Sequence, residues 1–154
     1  MAKNGYCNGS DMLLYVDDKA IGSCTTHTVS FSSETKERAV KPAASETTIG
    51  SGLWKKKGVV GLSYSISAEG LVFYDEKECG YKDLVKLWKA GKSVAVKCME
   101  RGDSVTAYLE GNCVIASLER TDPAQDDSTY SITLENDGEP TSIDESAITT
   151  NKVE

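Results

Sequence analysis

The sequence predicts a mainly β protein, an antiparallel two-sheet sandwich or barrel with one flanking α-helix. Apolar and polar residues alternate with the two-residue period of a strand in several separate segments. Only one segment has the three-to-four-residue apolar spacing of an amphipathic helix. Strands and helices do not alternate as they would around a parallel sheet, so about seven or eight strands are expected to pair antiparallel.

The first strands are predicted near the N-terminus. Residues 11–24, "DMLLYVDDKAIGSC", contain two apolar stretches separated by Asp17, Asp18 and Lys19, which is the pattern of a hairpin reversed by polar residues. Residues 26–34, "THTVSFSSE", alternate Val29 and Phe31 with polar neighbours. This alternation predicts a strand with one solvated face.

Residues 33–57 form the longest segment without a hydrophobic pattern. They contain few large apolar side chains, Pro42 and a Gly-Ser-Gly turn. A structureless loop of about 25 residues is uncommon in a compact domain and is usually functional. The sequence leaves three interpretations open: a binding loop, a long projecting hairpin, or a segment that is disordered in the isolated chain. The lysines at 55–57 favour a solvated loop over a phosphate contact.

The only helical segment follows the next strands. Residues 59–74 alternate from Leu62 to Ala68 and then become continuously apolar, which predicts one or two strands. In residues 80–92, apolar side chains share one helix face and lysines occupy the other. Gly91 stands where a helix C-terminus favours a left-handed residue. We therefore predict a helix near residues 81–90 that covers a sheet and buries Trp88.

Three more strands complete the prediction, within residues 93–99, 107–119 and 129–136. The residues after 143 are polar and weakly patterned, so fraying is expected there. A chain of 154 residues is close to the usual size of one domain. We predict a single β domain over residues 1–143, with a long loop at 33–57, and a polar C-terminal tail over residues 144–154.

The composition limits the classes of function. The net charge is -7 at pH 7, which argues against a sequence-reading nucleic-acid binder because such binding depends on clustered basic residues. No apolar run approaches the roughly 18 residues of a membrane span, so no membrane partner is expected. The N-terminus lacks the basic and apolar regions of a secretion signal, which favours a cytosolic chain.

The sequence contains no recognisable site for catalysis, a metal or a cofactor. Five cysteines are scattered without a CxxC pair and His27 is the only histidine, so we expect structural thiols and no zinc site. Asp122, Asp126 and Asp127 are the densest acidic cluster, but Pro123 interrupts the ligand spacing of a calcium loop and favours a solvated turn. Nucleophile-elbow, phosphate-loop and dinucleotide fingerprints are absent. We predict that the chain is not an enzyme and needs no cofactor.

Three longer segments resemble the major tail tube proteins of long-tailed (siphovirus-type) bacteriophages and prophages. They are "LLYVDDKAIGSCTTHTVSFSSETKERAVKP" at residues 13–42, "GYKDLVKLWKAGKSVAVKC" at 80–98 and "DPAQDDSTYSITLENDGEP" at 122–140. The resemblance covers most of the chain up to about Pro140. It lies in the overall pattern, since no single piece is a catalytic fingerprint.

The resemblance implies a tail tube fold of two packed β-sheets with a helix on the flank. It also implies six-membered rings of subunits that stack into a hollow tube. Such a structural virion protein would occupy the bacterial host cytoplasm before assembly and the virion tail afterwards. Its partners would be copies of itself, the tape measure and other tail proteins, and genomic DNA that passes through the lumen without specific binding. An acidic subunit would repel phosphate, which suits a conduit.

The same resemblance implies roles for two segments. The stretch after Pro123 would be a late strand in which Tyr130, Ile132 and Leu134 pack the core. Residues 33–57 would be the long loop that reaches a neighbouring subunit or ring. The expected subunit interface combines apolar anchors with basic residues that meet an acidic surface: Val40, Ile49 and Trp54, with Lys36, Arg38, Lys55 and Lys56.

Two other classes of function remain open on the residues alone. A soluble β-sandwich binding module, for example a carbohydrate-binding one, has the same all-β pattern. Such modules are usually exported and present a platform of aromatic residues, which make up only 7% of this chain. A small hydrolase is the weaker alternative because no nucleophile or base pattern is present. Self-association would distinguish a tube protein from a binding module, and turnover would identify a hydrolase.

Overall fold

The computed structural model describes residues 5–74, 77–102, 107–143 and 146–147. These residues contain nine strands, one α-helix and two short 3-10 turns, at Gly9–Asp11 and Ser51–Leu53. The strands and the helix are β1 (Met12–Val16), β2 (Lys19–Ala20), β3 (Cys24–Glu37), β4 (Lys57–Leu71), α1 (Tyr81–Ala90), β5 (Val94–Glu100), β6 (Ala107–Thr121), β7 (Thr129–Asn136), β8 (Ser142–Ile143) and β9 (Ser146–Ala147).

All nine strands belong to one sheet, and every pair of these strands is antiparallel. The order is β2-β1-β5-β6-β7-β4-β3, with β8 paired to β6 and β9 paired to β8. The predicted antiparallel, mainly β architecture with one helix is confirmed. The prediction of two sheets or of a closed barrel is not, because the strands form one continuous sheet whose end strands β2 and β3 are not paired with each other.

The sheet is strongly curled. Strands β2 and β3 stand at opposite ends of the order, yet only residues 21–23 join them. Two strands six positions apart in a flat sheet would be separated by about 29 Å, at roughly 4.8 Å a step. Four peptide steps span at most about 14 Å. The sheet must therefore bend until its two ends approach each other.

Hydrogen bonds from both sides hold this short connection in place. The Ile21 amide donates to the Leu14 carbonyl at 2.9 Å, and the Leu71 amide donates to the Ser23 carbonyl at 3.0 Å. The buried Tyr130 hydroxyl donates to the Gly22 carbonyl at 2.9 Å. Residues of β1, β4 and β7 thus anchor the segment at which the two ends of the sheet meet.

The core lies inside the curl. Alternate residues of five strands form one buried cluster with a leucine of the helix, and the curl replaces the second sheet that a sandwich would need. Tyr130, Ile132 and Leu134 are buried as predicted. The principal members are Leu14 and Val16 of β1, Tyr64, Ile66 and Ala68 of β4, Val94, Val96 and Cys98 of β5, Leu109 and Cys113 of β6, the three residues of β7, and Leu84 of α1.

The helix occupies residues Tyr81–Ala90, as the apolar spacing predicts. Gly91 ends it with a φ of 70°, and its amide donates to the Trp88 carbonyl. Leu84 is 0% exposed, but Trp88 is 54% exposed, so the prediction that Trp88 is buried is wrong. The two side chains share a helix face one turn apart. Leu87, beside Trp88 in the last turn, still packs against the core, so Trp88 lies at the edge of the contact between the helix and the core.

The reversals are placed as the sequence predicts. Asp17 and Asp18 connect β1 to β2 with φ values of 53° and 65°, which is the backbone of a tight hairpin turn. Strands β5 and β6 are antiparallel neighbours, and residues 103–106 between them lie outside the described residues. Part of the predicted polar tail is β9, which pairs with β8, while residues 144–145 and 148–154 also lie outside the described residues.

Candidate assembly interface

Strands β3 and β4 continue their pairing far beyond the buried core. We define the arm as residues 31–62, the distal part of this hairpin with its connection. The register runs from Phe31↔Tyr64 to Glu37↔Lys57. This distance is about 20 Å of strand, at roughly 3.4 Å per residue. None of the side chains described in the arm is buried.

Residues 33–57 form the distal part of the arm. Of the interpretations left open, the structure has the projecting hairpin, since β3 extends to Glu37 and β4 begins at Lys57. Only residues 38–56 lie outside the paired strands, and a 3-10 turn over Ser51–Leu53 interrupts them. The strand residues within this segment, 33–37 and Lys57, are all polar or charged, so the sequence shows no hydrophobic pattern there.

The arm concentrates exposed apolar surface. Of the fourteen large hydrophobic residues that are exposed in the described part of the chain, eight lie in the arm, which is about a fifth of the sequence. Ile49 is 100% exposed and Trp54 is 88% exposed. Exposed apolar clusters of this kind mark interaction surfaces. The eight residues are Phe31, Val40, Ile49, Leu53, Trp54, Val59, Val60 and Leu62.

A few local contacts lie at the base of the connection and before its 3-10 turn. The Arg38 amide donates to the Lys56 carbonyl at 3.0 Å, which extends the ladder beyond the last strand pair. Lys55 forms an exposed ion pair with Glu37 at 3.5 Å. Gly50 takes a φ of 91° before the 3-10 turn, a left-handed conformation that favours glycine.

All seven predicted interface residues lie in the arm, and all are exposed: Lys36, Arg38, Val40, Ile49, Trp54, Lys55 and Lys56. Their contact with a neighbouring subunit stays a prediction. Sequence reasoning missed five further exposed apolar residues, namely Phe31, Leu53, Val59, Val60 and Leu62. Four of them belong to strands and look like core residues in the sequence, whereas the position of Leu53 beside Trp54 was a usable signal.

A groove lies where the arm leaves the rest of the subunit, which we call the body. We call it the arm-base groove and define it by Phe31, Val60, Leu62, Tyr64, Pro140 and Ile143. It is open to solvent and has a volume of about 1000 Å³. The Tyr64 amide donates to the Asn136 side chain at 3.3 Å, which ties the turn after β7 to this end of β4.

Charge is distributed unevenly between the arm and the rest of the chain. The arm contains six basic and three acidic residues, so its net charge is +3. Since the whole chain carries -7, the remainder carries -10. Opposite charges on two parts of one chain favour association between copies and promote their encounter.

Four of the thiols are poor nucleophiles. Burial raises the pKa of the Cys79 thiol to about 11 and that of Cys98 to about 12. Burial also raises the pKa of Cys24 and of Cys113. Because the thiolate is the reactive form, these side chains act as small apolar residues near neutral pH. Cys7 is exposed, unlike the structural thiol that the sequence predicts.

The single histidine takes part in a structural contact. Nε2 of His27 on β3 lies 2.9 Å from the hydroxyl of Tyr108 on β6, a contact made possible by the curl of the sheet. Burial lowers the pKa of His27, so the ring is neutral near pH 7. Neutral His27 thus links two strands that are not neighbours in the sheet.

The acidic cluster belongs to a turn. Asp122 Oδ1 accepts hydrogen bonds from Nε of Arg120 at 2.9 Å and from the Ser128 hydroxyl, and these contacts lower the pKa of Asp122. Arg120 also lies 5.1 Å from the ring centre of Tyr81. In the described part of the chain, no three His, Cys, Asp or Glu residues are grouped to hold a metal ion. No helix there is long and apolar enough to cross a membrane.

Several solved structures of virion and tail proteins have a similar fold. The chain is similar to a protein in the virion of a native gene transfer agent (GTA) particle, with a TM-score of 0.70 and 17% identity over 88% of this chain and 97% of that one. It is also similar to a protein in the tail of an empty GTA particle with C6 symmetry, with a TM-score of 0.67 and 18% identity over 88% and 97% of the two chains.

A third similar structure is the SPP1 tail tube, with a TM-score of 0.57 and 16% identity over 86% of this chain and 77% of that one. No curated protein sequence matches the chain. The phage tail tube protein family, in contrast, matches residues 6–142. Since this match spans nearly the whole sequence, the chain belongs to the phage tail tube protein family and is a structural subunit of the tail tube.

Proposed function

We propose that copies of this chain assemble into rings of six, and that the rings stack into a tube through which DNA leaves the particle. The observation that carries the proposal is the arm, a long hairpin whose apolar side chains are exposed in the single subunit. The C6 symmetry of the similar GTA tail supports the number of subunits.

The arm is the principal contact in this proposal. Val40, Ile49 and Trp54 insert into a neighbouring subunit, where their burial stabilises the assembly. The basic residues of the arm meet the acidic body of that neighbour, which orients the approach. They are Lys36, Arg38, Lys55 and Lys56.

The charge of the body suits a conduit. DNA is a polyanion, and a surface with a net negative charge lets it pass without specific binding. The body carries -10 of the charge, while the basic residues of the arm are occupied at subunit contacts. The chain itself catalyses nothing in this role. Other partners are the tape measure and further tail proteins, and assembly follows synthesis in the bacterial host cytoplasm.

Removal of the arm tests the proposal. Residues 33–62 are replaced by Asn-Gly, which connects the paired Ser32 and Ser63 through a two-residue hairpin turn. Because no described arm side chain is buried, we expect a folded monomer whose melting temperature is nearly unchanged. The full chain at matched concentration should form rings or tubes in negative-stain electron microscopy and light scattering.

Two results would count against the proposal. Tubes formed by the shortened chain would show that the arm is not the principal contact. A full chain that stays monomeric at high concentration would contradict self-assembly. Melting curves of the two proteins serve as the control, since a large loss of stability in the shortened chain would mean that the arm supports the fold.

A further inference from the structure

We propose that the tip of the arm of one copy binds in the arm-base groove of a second copy. We define the tip by Ile49, Leu53 and Trp54, with the nearby basic residues Lys41 and Lys56. This inference rests on the proposed self-assembly and names the surface that receives the arm. The contact is heterologous, because the tip of one copy meets a different surface, the groove, on the next copy.

The groove is the uncovered end of the core face. Leu62, Tyr64 and Ile66 follow one another at two-residue intervals on β4, so they point to the same side of the sheet. Ile66 and Tyr64 are buried, but Leu62 is 79% exposed. Phe31, the partner of Tyr64 in the register, is also exposed. An apolar face therefore continues outward beyond the side chains that cover it, and it is shaped to receive further apolar groups.

The tip carries the complementary surface. Its three apolar side chains are all more than four-fifths exposed. These side chains do not fill the groove of their own chain, because all three stay exposed while that groove is open to solvent. The groove that such a tip can fill is the groove of another copy.

The charges near the two surfaces are opposite in sign. The turn after β7 forms one wall of the groove through residues 136–140. Asp137 and Glu139 are exposed in this turn, which has no basic residue. Lys41 and Lys56 accompany the apolar side chains of the tip. Acidic and basic residues around an apolar centre are the usual arrangement of a specific interface, in which charge orients the approach.

The area that the contact would bury indicates a weak interaction that becomes effective when many copies are joined. Burial of one aromatic side chain removes about 200 Å² from water. Three tip side chains and the groove therefore bury on the order of 1000 Å², which is near the lower limit for a specific interface. One such contact is weak, but each copy has one tip and one groove. Copies are therefore added in one direction until a ring closes or a helical array extends.

The first experiment mixes two defective variants. The tip variant carries Leu53→Asp and Trp54→Asp, and the groove variant carries Val60→Asp and Leu62→Asp, all at exposed positions. Each variant alone should be monomeric in analytical ultracentrifugation. Their mixture should form one-to-one dimers and stop there, because a single intact tip meets a single intact groove. A tip or groove variant that assembles alone, or a mixture that stays monomeric at high concentration, would overturn the proposal.

A cross-linking experiment detects the contact even where it is weak. With Cys7→Ser as background, protein with Leu53→Cys is mixed with protein with Leu62→Cys and oxidised. We expect disulfide formation between these two sites at least about tenfold above a control mixture of Leu53→Cys with Phe73→Cys, because binding raises the effective concentration of the paired thiols. Equal yields in the two mixtures would overturn the proposal.

Charge reversal gives a matched control. Lys41→Glu with Lys56→Glu should abolish the Leu53 to Leu62 cross-link, whereas Lys86→Glu with Lys92→Glu, which makes the same change of net charge on and beside α1, should preserve it. Equal effects of the two variants would mean that net charge alone governs association, which would overturn the proposed contact.

The contact and the tube can fail separately. Tubes formed by the groove variant would refute the contact between tip and groove but leave self-assembly standing. A specific cross-link without rings or tubes in the full chain would support the contact and refute the tube.

Discussion

Helix α1 provides a direct test of where the core ends. Leu84 and Trp88 lie on one face, one turn apart, but Leu84 is fully buried and Trp88 is half exposed. Replacement of each residue by alanine compares two neighbouring contacts in the same helix. We expect Leu84→Ala to destabilise the protein far more than Trp88→Ala, although tryptophan is the larger side chain.

The expected magnitudes follow from burial. Removal of a fully buried leucine side chain loses its transfer free energy and leaves a cavity, at a cost of about 2 to 5 kcal/mol. We expect about 3 kcal/mol for Leu84→Ala. Much of Trp88 already faces water, the helix itself covers part of the remainder, and alanine has the better helix propensity. We expect about 1 kcal/mol or less for Trp88→Ala.

Urea unfolding followed by circular dichroism measures both changes, because this signal does not depend on the tryptophan that is removed. The arm-shortened chain is the background, so that association between copies does not add to stability. At about 3 to 5 °C per kcal/mol for the shortened chain of about 126 residues, Leu84→Ala should lower the melting temperature by about 9 to 15 °C. Equal losses for the two variants would refute the conclusion that Leu84 lies inside the core while Trp88 lies at its edge.

Three further predictions follow from particular side chains. Gly111→Ala should cost about 1 to 3 kcal/mol, because its new Cβ would lie 2.5 Å from the hydroxyl oxygen of Tyr64, whereas Gly9→Ala, which meets open space, should be neutral in the same urea titration. Burial lowers the pKa of His27 below its unfolded value of about 6.5, so the unfolded chain binds the proton first. Stability should therefore fall as pH drops from 7.5 to 5, and His27→Gln should flatten that part of the profile of melting temperature against pH. Alkylation of the native protein at pH 8 should modify one thiol rapidly, and Cys7→Ser should abolish the fast phase; a second fast thiol would mean that the buried cysteines are accessible.

Features with a local physical cause were predictable from the sequence. The helix bounds follow from the apolar spacing over Tyr81–Ala90 and from the glycine that ends it. The turn at Asp17 and Asp18 follows from residues that tolerate a positive φ. The interface predicted within residues 33–57 remains a prediction, because a contact between copies does not appear in a single subunit.

Features that depend on distant parts of the chain were not predictable in the same way. Alternation in a strand fixes which side chains point inward, but it does not fix which strand pairs next or whether the sheet curls. The same limit applies to Phe31 and Leu62, which have the spacing of core residues but lie beyond the side chains that could cover them.

The sequence by itself determined the mainly β class of fold, the single helix, the inward face of β7 and the lack of a hydrophobic pattern in residues 33–57. These features depend on periodicity, turn chemistry and composition, which act over short distances along the chain. Tertiary structure alone decided that one curled sheet encloses the core, that Trp88 is exposed while Leu84 is buried, and that an apolar groove opens at the base of the arm. The physical reason is that burial depends on what covers a side chain. The covering residues come from segments far away in sequence, such as the turn at residues 136–140 beside Leu62 on β4.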